Sequence, residues 1–166
     1  MSHSSLYYLC TMYTREQASF IKQKFWTTLG QFLALQPSAE GLKVNWLNYK
    51  TGLKHVYFRM DADKNSAYIG IEMHHPDLGI QELFYEQFLE FKPLLNSLME
   101  EEWEWELHGL DERSGKTISR IYHTQQGFNV FNENHWADII RFLSPRMITL
   151  DSFWADAKYS FDALKG

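Results

Sequence analysis

The sequence predicts an α+β fold, in which an antiparallel sheet, made of a three-strand meander and a later hairpin, packs against long helices. Stretches with alternating apolar side chains follow one another across short polar turns, which is typical of antiparallel strands. Longer stretches with apolar residues every three or four positions flank them, as in amphipathic helices. Because the strands come in adjacent groups and do not alternate singly with helices, a parallel α/β sheet is disfavoured.

The first helix is predicted to begin after Thr14, because residues 14–17 match a capping box. Apolar residues then recur at helical spacing to about Leu35, and residues 36–38 end the helix. Residues 1–13 are expected to form a loosely docked arm. A length of 166 residues suits one domain, so residues 1–166 are expected to form a single domain whose globular body spans 14–166.

Three strands are predicted over residues 43–49, 55–60 and 67–74, joined by turns at 50–52 and 61–66. Alternation along the second and third strands places apolar side chains on one face of the sheet. The opposite face gathers aromatic, charged and imidazole side chains, namely His55, Tyr57, Arg59, Tyr68, Glu72 and His74. This mixture can bind a ligand or a partner through stacking and charge-assisted hydrogen bonds. Alternatively, these side chains pack beneath the last helices or meet water.

The second half of the chain predicts a helix, a hairpin and two further helices. A helix capped by Asp77 runs to about Met99, with a kink or break at Pro93. The predicted hairpin and final helices are strands at 103–107 and 117–122, an extended piece near Val130, a helix capped by Asn132 or Asn134 and ending at Phe142, a break at Pro145, and a helix over 147–164. The apolar stripes of these elements predict a core that includes Trp26, Phe58, Ile71, Phe84, Phe88 and Trp154.

The amino-acid composition limits which classes of function and which cellular locations suit this chain. The net charge of −5 argues against a general electrostatic grip on nucleic acid. Cys10 is the single cysteine, so neither an intramolecular disulfide nor a cysteine metal cluster can form, which suits a reducing compartment. The N-terminal stretch has no signal-peptide pattern, and no apolar run is long enough to cross a membrane. We therefore expect a cytoplasmic protein with no membrane partner.

Aromatic framework residues recur in one set of short stretches: Phe25-Trp26, Gly70-Ile71-Glu72, Trp103-Glu104-Trp105, Ser119-Arg120-Ile121-Tyr122, His135-Trp136 and Phe153-Trp154. Together, from about Phe20 to Leu164, they resemble the bacterial domain of unknown function 4268 in its short, stand-alone form. The resemblance implies an uncharacterised function. Some longer relatives place such a domain after a nuclease-like segment, so the resemblance also implies a DNA-related context, but it brings no catalytic residues.

One pattern is compatible with a degenerate nuclease core. Restriction-type nucleases place an acidic residue at one strand end and Glu-x-Lys on the next strand, where the carboxylates hold Mg²⁺ and the lysine helps to activate water. Here Asp61 or Asp63 precedes Glu72, but His74 stands where lysine is expected. The alternative interpretation is that the two aspartates belong to a turn and that Glu72 is a solvated sheet residue.

Metal and nucleic-acid sites are less well supported. Glu72 and His74 share a face, and His55 would join them if the register allowed, but His75 points elsewhere. Zinc needs three or four convergent ligands, so we expect no metal and no cofactor. The remaining nucleic-acid signal is a set of basic residues, with tyrosines that can stack on bases: Lys43, Lys50, Lys54, Arg59, Arg113, Lys116, Arg120, Tyr49, Tyr57 and Tyr122. Arg120 can instead pair with Glu104 or Glu106 across the hairpin.

The leading hypothesis from the sequence is a non-catalytic binding or interaction domain that acts as an accessory module. No nucleophile constellation or phosphate-binding loop is visible, and aromatic residues are abundant. That abundance, together with the frequency of twofold assemblies, predicts a homodimer. The alternative is a nuclease-like, Mg²⁺-dependent enzyme. An acidic pair and Glu72 within reach of one metal and open to solvent would favour the enzyme, and burial of Glu72 beneath a helix would favour the binding domain. The sequence names neither a protein partner nor a small ligand.

Overall fold

A computed structural model describes residues 13–165 of the chain. Over this range the elements are α1 Arg15–Leu33, β1 Val56–Ala62, β2 Ser66–Met73, α2 Leu78–Leu89, α3 Lys92–Met99, β3 Glu104–Asp111, β4 Lys116–Gln126 and α4 Trp136–Ala157. Short 3₁₀ helices cover Trp46–Asn48, Glu133–His135 and Lys158–Leu164. The α+β class with an antiparallel sheet is confirmed. The predicted arm lies outside the described residues except for Tyr13, whose ring stacks on Phe131 at 6.0 Å.

The four strands form one antiparallel sheet in the order β1-β2-β4-β3. The predicted first strand at 43–49 is wrong, so the sheet consists of two hairpins and contains no three-strand meander. Residues 43–49 instead form a loop around a 3₁₀ turn, because the Asn45 side chain accepts a hydrogen bond from the Asn48 N–H at 3.2 Å. Such local side-chain bonds compete with a strand ladder. The predicted meander would leave one edge of β2 unpaired. In the structure, this edge pairs with β4.

Proline acts differently in the two places where a break was predicted. The predicted break near Pro93 is confirmed, because α2 ends at Leu89 and Pro93 lies in the first turn of α3, where its missing N–H costs little. The predicted break at Pro145 is wrong, since α4 passes through it as one helix. Pro145 leaves the Arg141 carbonyl without its usual backbone donor. The two flanking carbonyls accept side-chain hydrogen bonds, Ile140 from the Ser144 hydroxyl (2.7 Å) and Phe142 from Arg146 (2.9 Å).

The main core lies between the apolar face of the sheet and the helices. Five of the six residues predicted for it are buried: Phe58, Ile71, Phe84, Phe88 and Trp154. Trp26 is only partly buried, because it lies at the margin of the core, with its ring edge-on to Phe25 at 5.0 Å. Aromatic contacts connect α2 to the C-terminal segment, where Phe161 packs on Phe88 at 4.5 Å between ring centroids. The aromatic content predicted for the core is therefore concentrated at this junction.

The edge strand β3 contains a bulge. The register shifts between Glu106 and Gly109, and His108 within it adopts φ +53°. Leu107 and Leu110, on either side of the shift, are exposed. β3 is therefore an irregular edge, in contrast to the regular pairing of β1 with β2.

Candidate functional site

The candidate site is the polar face of the sheet, which we define by Tyr57, Arg59, Asp61, Tyr68, Glu72, Arg120 and Tyr122. The registers place these residues on one side: Tyr57 lies opposite Glu72, and Glu72 lies opposite Arg120. Helices α2 and α4 pack on the other side; there the Ser119 hydroxyl donates to Gln81 at 2.6 Å. Apart from Glu72, the side chains that define the polar face are exposed or partly exposed.

Glu72 is the centre of this face and is only 1% exposed. Its Oε2 accepts a hydrogen bond from the Tyr68 hydroxyl (2.7 Å), and its Oε1 accepts one from His74 Nε2 (2.9 Å). Arg113 Nη2 donates to both oxygens, at 3.1 and 3.2 Å. A buried carboxylate is tolerated only when it is paired and hydrogen-bonded. We call Tyr68, Glu72, His74 and Arg113 the Glu72 network.

The Tyr68 side chain reaches Glu72 by lying along its own strand over Gly70. A Cβ atom at position 70 would lie 2.6 Å from the Tyr68 hydroxyl and 2.9 Å from the Tyr122 Cβ, so glycine leaves the space that the ring occupies. Tyr68 stacks on Tyr122 at 5.7 Å. The Arg120 guanidinium lies 3.9 Å from the Tyr122 ring centroid, and its Nε donates to Glu106 at 3.1 Å. Pairing of Arg120 with Glu106 was one of the alternatives predicted from the sequence.

Burial and nearby charge shift the proton affinities of this face. Burial, the Glu72 charge and the hydrogen bond to Glu72 raise the pKa of the Tyr68 hydroxyl far above its usual value. Burial and a hydrogen bond to Glu104 raise the pKa of Tyr122 to about 12. Both tyrosines therefore remain protonated donors at neutral pH.

The other residues predicted for the site differ in how close they lie to the Glu72 network. The Tyr57 ring packs edge-on against His74 at 5.1 Å and is 46% exposed. Arg59 does not reach Glu72 but pairs with Asp61 at 3.0 Å. His55 lies apart from the network: it adopts φ +68° just before β1, and its ring lies 5.0 Å from that of His75. The structure thus connects Tyr57, Tyr68, Glu72 and His74, and leaves His55 and Arg59 at the margin.

Sequence reasoning missed the role of Arg113. This residue lies in the turn between β3 and β4, 41 positions from Glu72, and was noted only as one of several basic side chains. Its Nε also donates to Asp111 at 2.9 Å, which holds the guanidinium over the sheet. The contact between Arg113 and Glu72 forms because β4 pairs with β2, and no local pattern in the sequence predicts that pairing. Only the opposite charges of the two residues hinted at it.

The structure does not bring the proposed nuclease carboxylates together. Asp61 lies opposite Tyr68, four residues along the strand from the position opposite Glu72, which is about 13 Å at the usual rise of a strand. Asp63 lies further along, in the turn, where its Oδ1 accepts the Asn65 and Ser66 N–H groups at 2.7 and 2.8 Å. Within residues 13–165, no three His, Cys, Asp or Glu side chains converge as metal ligands.

A second feature, which sequence reasoning did not predict, is a cavity of about 650 Å³ between the loop 34–55 and the C-terminal end of α4. Asp151 lines it and is 5% exposed. Its two oxygens accept hydrogen bonds from the Tyr49 hydroxyl (2.5 Å) and the Ala39 N–H (2.6 Å). Burial first, and the bond to Asp151 second, raise the pKa of Tyr49 well above its usual value. The sequence signal that could have indicated this cavity is an acidic residue, Asp151, on the otherwise mainly apolar stripe of α4.

The fold and the polar face define an α+β domain in which one sheet carries a buried carboxylate, Glu72, hydrogen-bonded through both oxygens. The chain belongs to the domain of unknown function family DUF4268, whose family model matches residues 21–158. The family resemblance predicted from the sequence is therefore confirmed. No curated protein and no solved structure was found to match the chain. In the part of the chain that the structure describes, no helix combines the length and apolarity required to cross a membrane.

Proposed function

We propose that this protein is a non-catalytic interaction domain that forms a homodimer by apposing two copies of the polar sheet face. The observation that carries the proposal is that Glu72, the central carboxylate of a partly exposed sheet face, is buried with both oxygens hydrogen-bonded. Such a group orders a surface and has no free position for substrate or metal. The proposed accessory role therefore rests on surface recognition and involves no chemistry.

The nuclease alternative is disfavoured by the states of its three carboxylates. Glu72 is occupied by Tyr68, His74 and Arg113. Asp61 is paired with Arg59, and Asp63 accepts backbone N–H groups in a turn. Metal-assisted hydrolysis requires carboxylates that converge on one ion and leave an open ligand position. Neither requirement is supported by the geometry of the polar face.

The arrangement of charges on the polar face supports a second copy as the partner. The face carries cations and anions close together, as in the pairs Arg59 with Asp61 and Arg120 with Glu106. A surface that alternates in sign can match itself across a twofold axis, because each cation can meet an anion of the other copy. Exposed Tyr57 supplies the kind of aromatic side chain that anchors interfaces.

Sedimentation of the purified chain at about 100 µM tests the dimer. We expect the double variant Y57A/R59E to raise the dissociation constant about tenfold or more, which corresponds to loss of one strong anchor. The matched control is Y159A/R141E, which makes the same chemical changes at exposed positions outside the polar face. A monomer throughout the wild-type concentration series, or equal weakening by both double variants, would refute the proposed interface.

The non-catalytic part is tested separately with Mg²⁺ or Mn²⁺ and single- and double-stranded DNA and RNA. We expect no cleavage above the level of a mock purification. Metal-dependent cleavage by wild-type protein that is lost in Glu72→Ala but retained in the surface control Glu133→Ala would promote the nuclease alternative. The two experiments are independent, so either half of the proposal can fail alone.

A further inference from the structure

We infer that the cavity beneath the loop 34–55 is a binding site for a small amphipathic anion, with a planar apolar body and one carboxylate or phosphate group. The cavity lies outside the polar sheet face and therefore goes beyond the proposed dimer. Its volume of about 650 Å³ is in the usual range of small-molecule sites, about 300–1,000 Å³.

The loop is held in place by polar contacts with the C-terminal part of the chain. Besides the bonds to Asp151, the Trp154 indole N–H donates to the Thr51 carbonyl at 2.8 Å and Lys158 pairs with Glu40 at 2.7 Å. Apart from one 3₁₀ turn, the loop has no regular structure. Connections of this length are uncommon in compact domains and usually serve a function. The tethers keep the cavity open before a ligand arrives, which lowers the cost of binding.

The charges around the cavity favour an anion. Two of its lysines are neutralised within the chain, Lys158 by Glu40 and Lys165 by Asp162 at 3.2 Å. The other two lining lysines, Lys43 and Lys50, have no carboxylate within 4 Å in the described range 13–165. Asp151 accepts two hydrogen bonds from neutral donors and keeps its negative charge. Four lysines and three carboxylates, those of Glu40, Asp151 and Asp162, line the cavity, so the charges of its lining side chains sum to +1.

The walls between these charges suit an apolar body. The cavity is lined by the apolar side chains of Leu42, Val44, Leu53 and Trp154 and by the exposed ring of Tyr159. Aromatic side chains at such positions favour planar ligands through stacking. A bare inorganic anion would leave these walls in contact with water.

The test is a titration of isotope-labelled full-length protein, followed by NMR, with four probes that separate the two parts of the ligand. The probes are 2-naphthoate, 2-naphthyl phosphate, neutral 2-naphthol and inorganic phosphate. We expect both naphthyl anions to bind with dissociation constants of about 0.1–1 mM, given their size, and to shift the signals of residues 38–53. Naphthol and phosphate are each expected to bind at least about tenfold more weakly. The stronger naphthyl anion identifies the preferred acidic group.

Charge-reversal variants assign the site. We expect K43E/K50E to weaken binding of both naphthyl anions about tenfold or more, and K64E/K116E, with the same charge change at exposed lysines elsewhere, to leave it nearly unchanged. Leu42→Glu, at a 61% exposed position of the wall, supplies a second variant in case the first one unfolds. Absence of saturable binding up to 10 mM, or equal weakening by the two double variants, overturns the inference. Y57A/R59E should bind normally, so failure of the dimer proposal is separately visible.

Discussion

Ile71 and Glu72 are neighbours on β2, and both are almost fully buried, at 0% and 1% exposure. Ile71 is covered by helices, so its burial is favoured by removal of apolar surface from water. Glu72 faces the opposite way and is covered by the side chains of Tyr68, His74 and Arg113. Equal burial therefore has two different physical origins on the two faces of one sheet. The stability of the apolar face depends on filling its volume, and that of the polar face depends on complete hydrogen bonding. Substitutions on the two faces should therefore destabilise the protein for different reasons.

The largest effect is expected on the apolar side. Phe88→Ala removes a ring that is 1% exposed and packs on Trp154 and Phe161, and it should lower the free energy of unfolding by about 3–5 kcal/mol. Leu89→Ala, at a neighbouring position that is 39% exposed, should cost less than about 1 kcal/mol. Urea denaturation measures both variants. Equal losses would mean that the helical face of α2 is wrongly assigned.

The second effect tests overpacking on the polar side. Gly70→Ala places a Cβ atom against the Tyr68 hydroxyl and the Tyr122 Cβ, and it should cost about 1–3 kcal/mol because Tyr122 belongs to the sheet and cannot yield easily. Gly52→Ala is not a suitable control, since φ at that position is +81°. A better comparison is the double-mutant cycle with Tyr68→Phe, which removes the closest atom. Additive losses would contradict the close contact.

The third effect measures hydrogen bonding within the Glu72 network. Arg113→Ala leaves a buried carboxylate with two of its three partners. It should lower the free energy of unfolding by about 1–2 kcal/mol. This value is at the low end for a charged pair because the Arg113 side chain is partly exposed. Arg141→Ala, whose ion pair with Asp138 is exposed, should have almost no effect. Thermal unfolding checks both. Indistinguishable melting temperatures would show that Glu72 does not depend on Arg113.

The smallest effect concerns an ion pair on the helical side, between Glu101 and Arg146 (2.7 Å). Burial raises the pKa of Glu101, but hydrogen bonds from Arg146 and Trp103 outweigh it, and the net pKa lies below the usual 4.5. A carboxyl group with a lowered folded-state pKa stabilises the protein above its unfolded pKa, and this stabilisation disappears as pH falls through the folded value. It should be no more than about 1 kcal/mol. Melting temperatures between pH 7 and pH 3 should therefore fall less steeply in Glu101→Gln than in wild type.

Local patterns predicted the parts of the fold that local physics controls. The capping box at Thr14 forms as expected, with the Thr14 and Gln17 side chains bonded to each other's backbone N–H at 3.1 and 3.0 Å. Strict alternation also located β1 and β2. The same patterns failed at residues 43–49, where Trp46 is buried and Tyr49 partly buried without strand pairing. They also failed at Pro145, where the helix continues through the proline.

The candidate site was predicted only in part for a related reason. Alternation along single strands placed Tyr57, Tyr68 and Glu72 on one face. Which strand follows β2 in the sheet, and hence which turn reaches Glu72, is decided by contacts between distant segments. The register of β4 brings Arg113 to the site. Similarly, the cavity at Asp151 exists only because a loop from the first third of the chain docks on the last helix.

The bulge in β3 affects the tendency of the protein to aggregate as well as the shape of the strand. A regular edge strand with exposed leucines at positions 107 and 110 would offer another chain a continuous row of N–H and C=O groups with apolar side chains beside it. The shift between Glu106 and Gly109 interrupts that row and twists the strand. Folded copies of the protein are thus less able to pair edge to edge through β3, and the fold can tolerate two exposed leucines there.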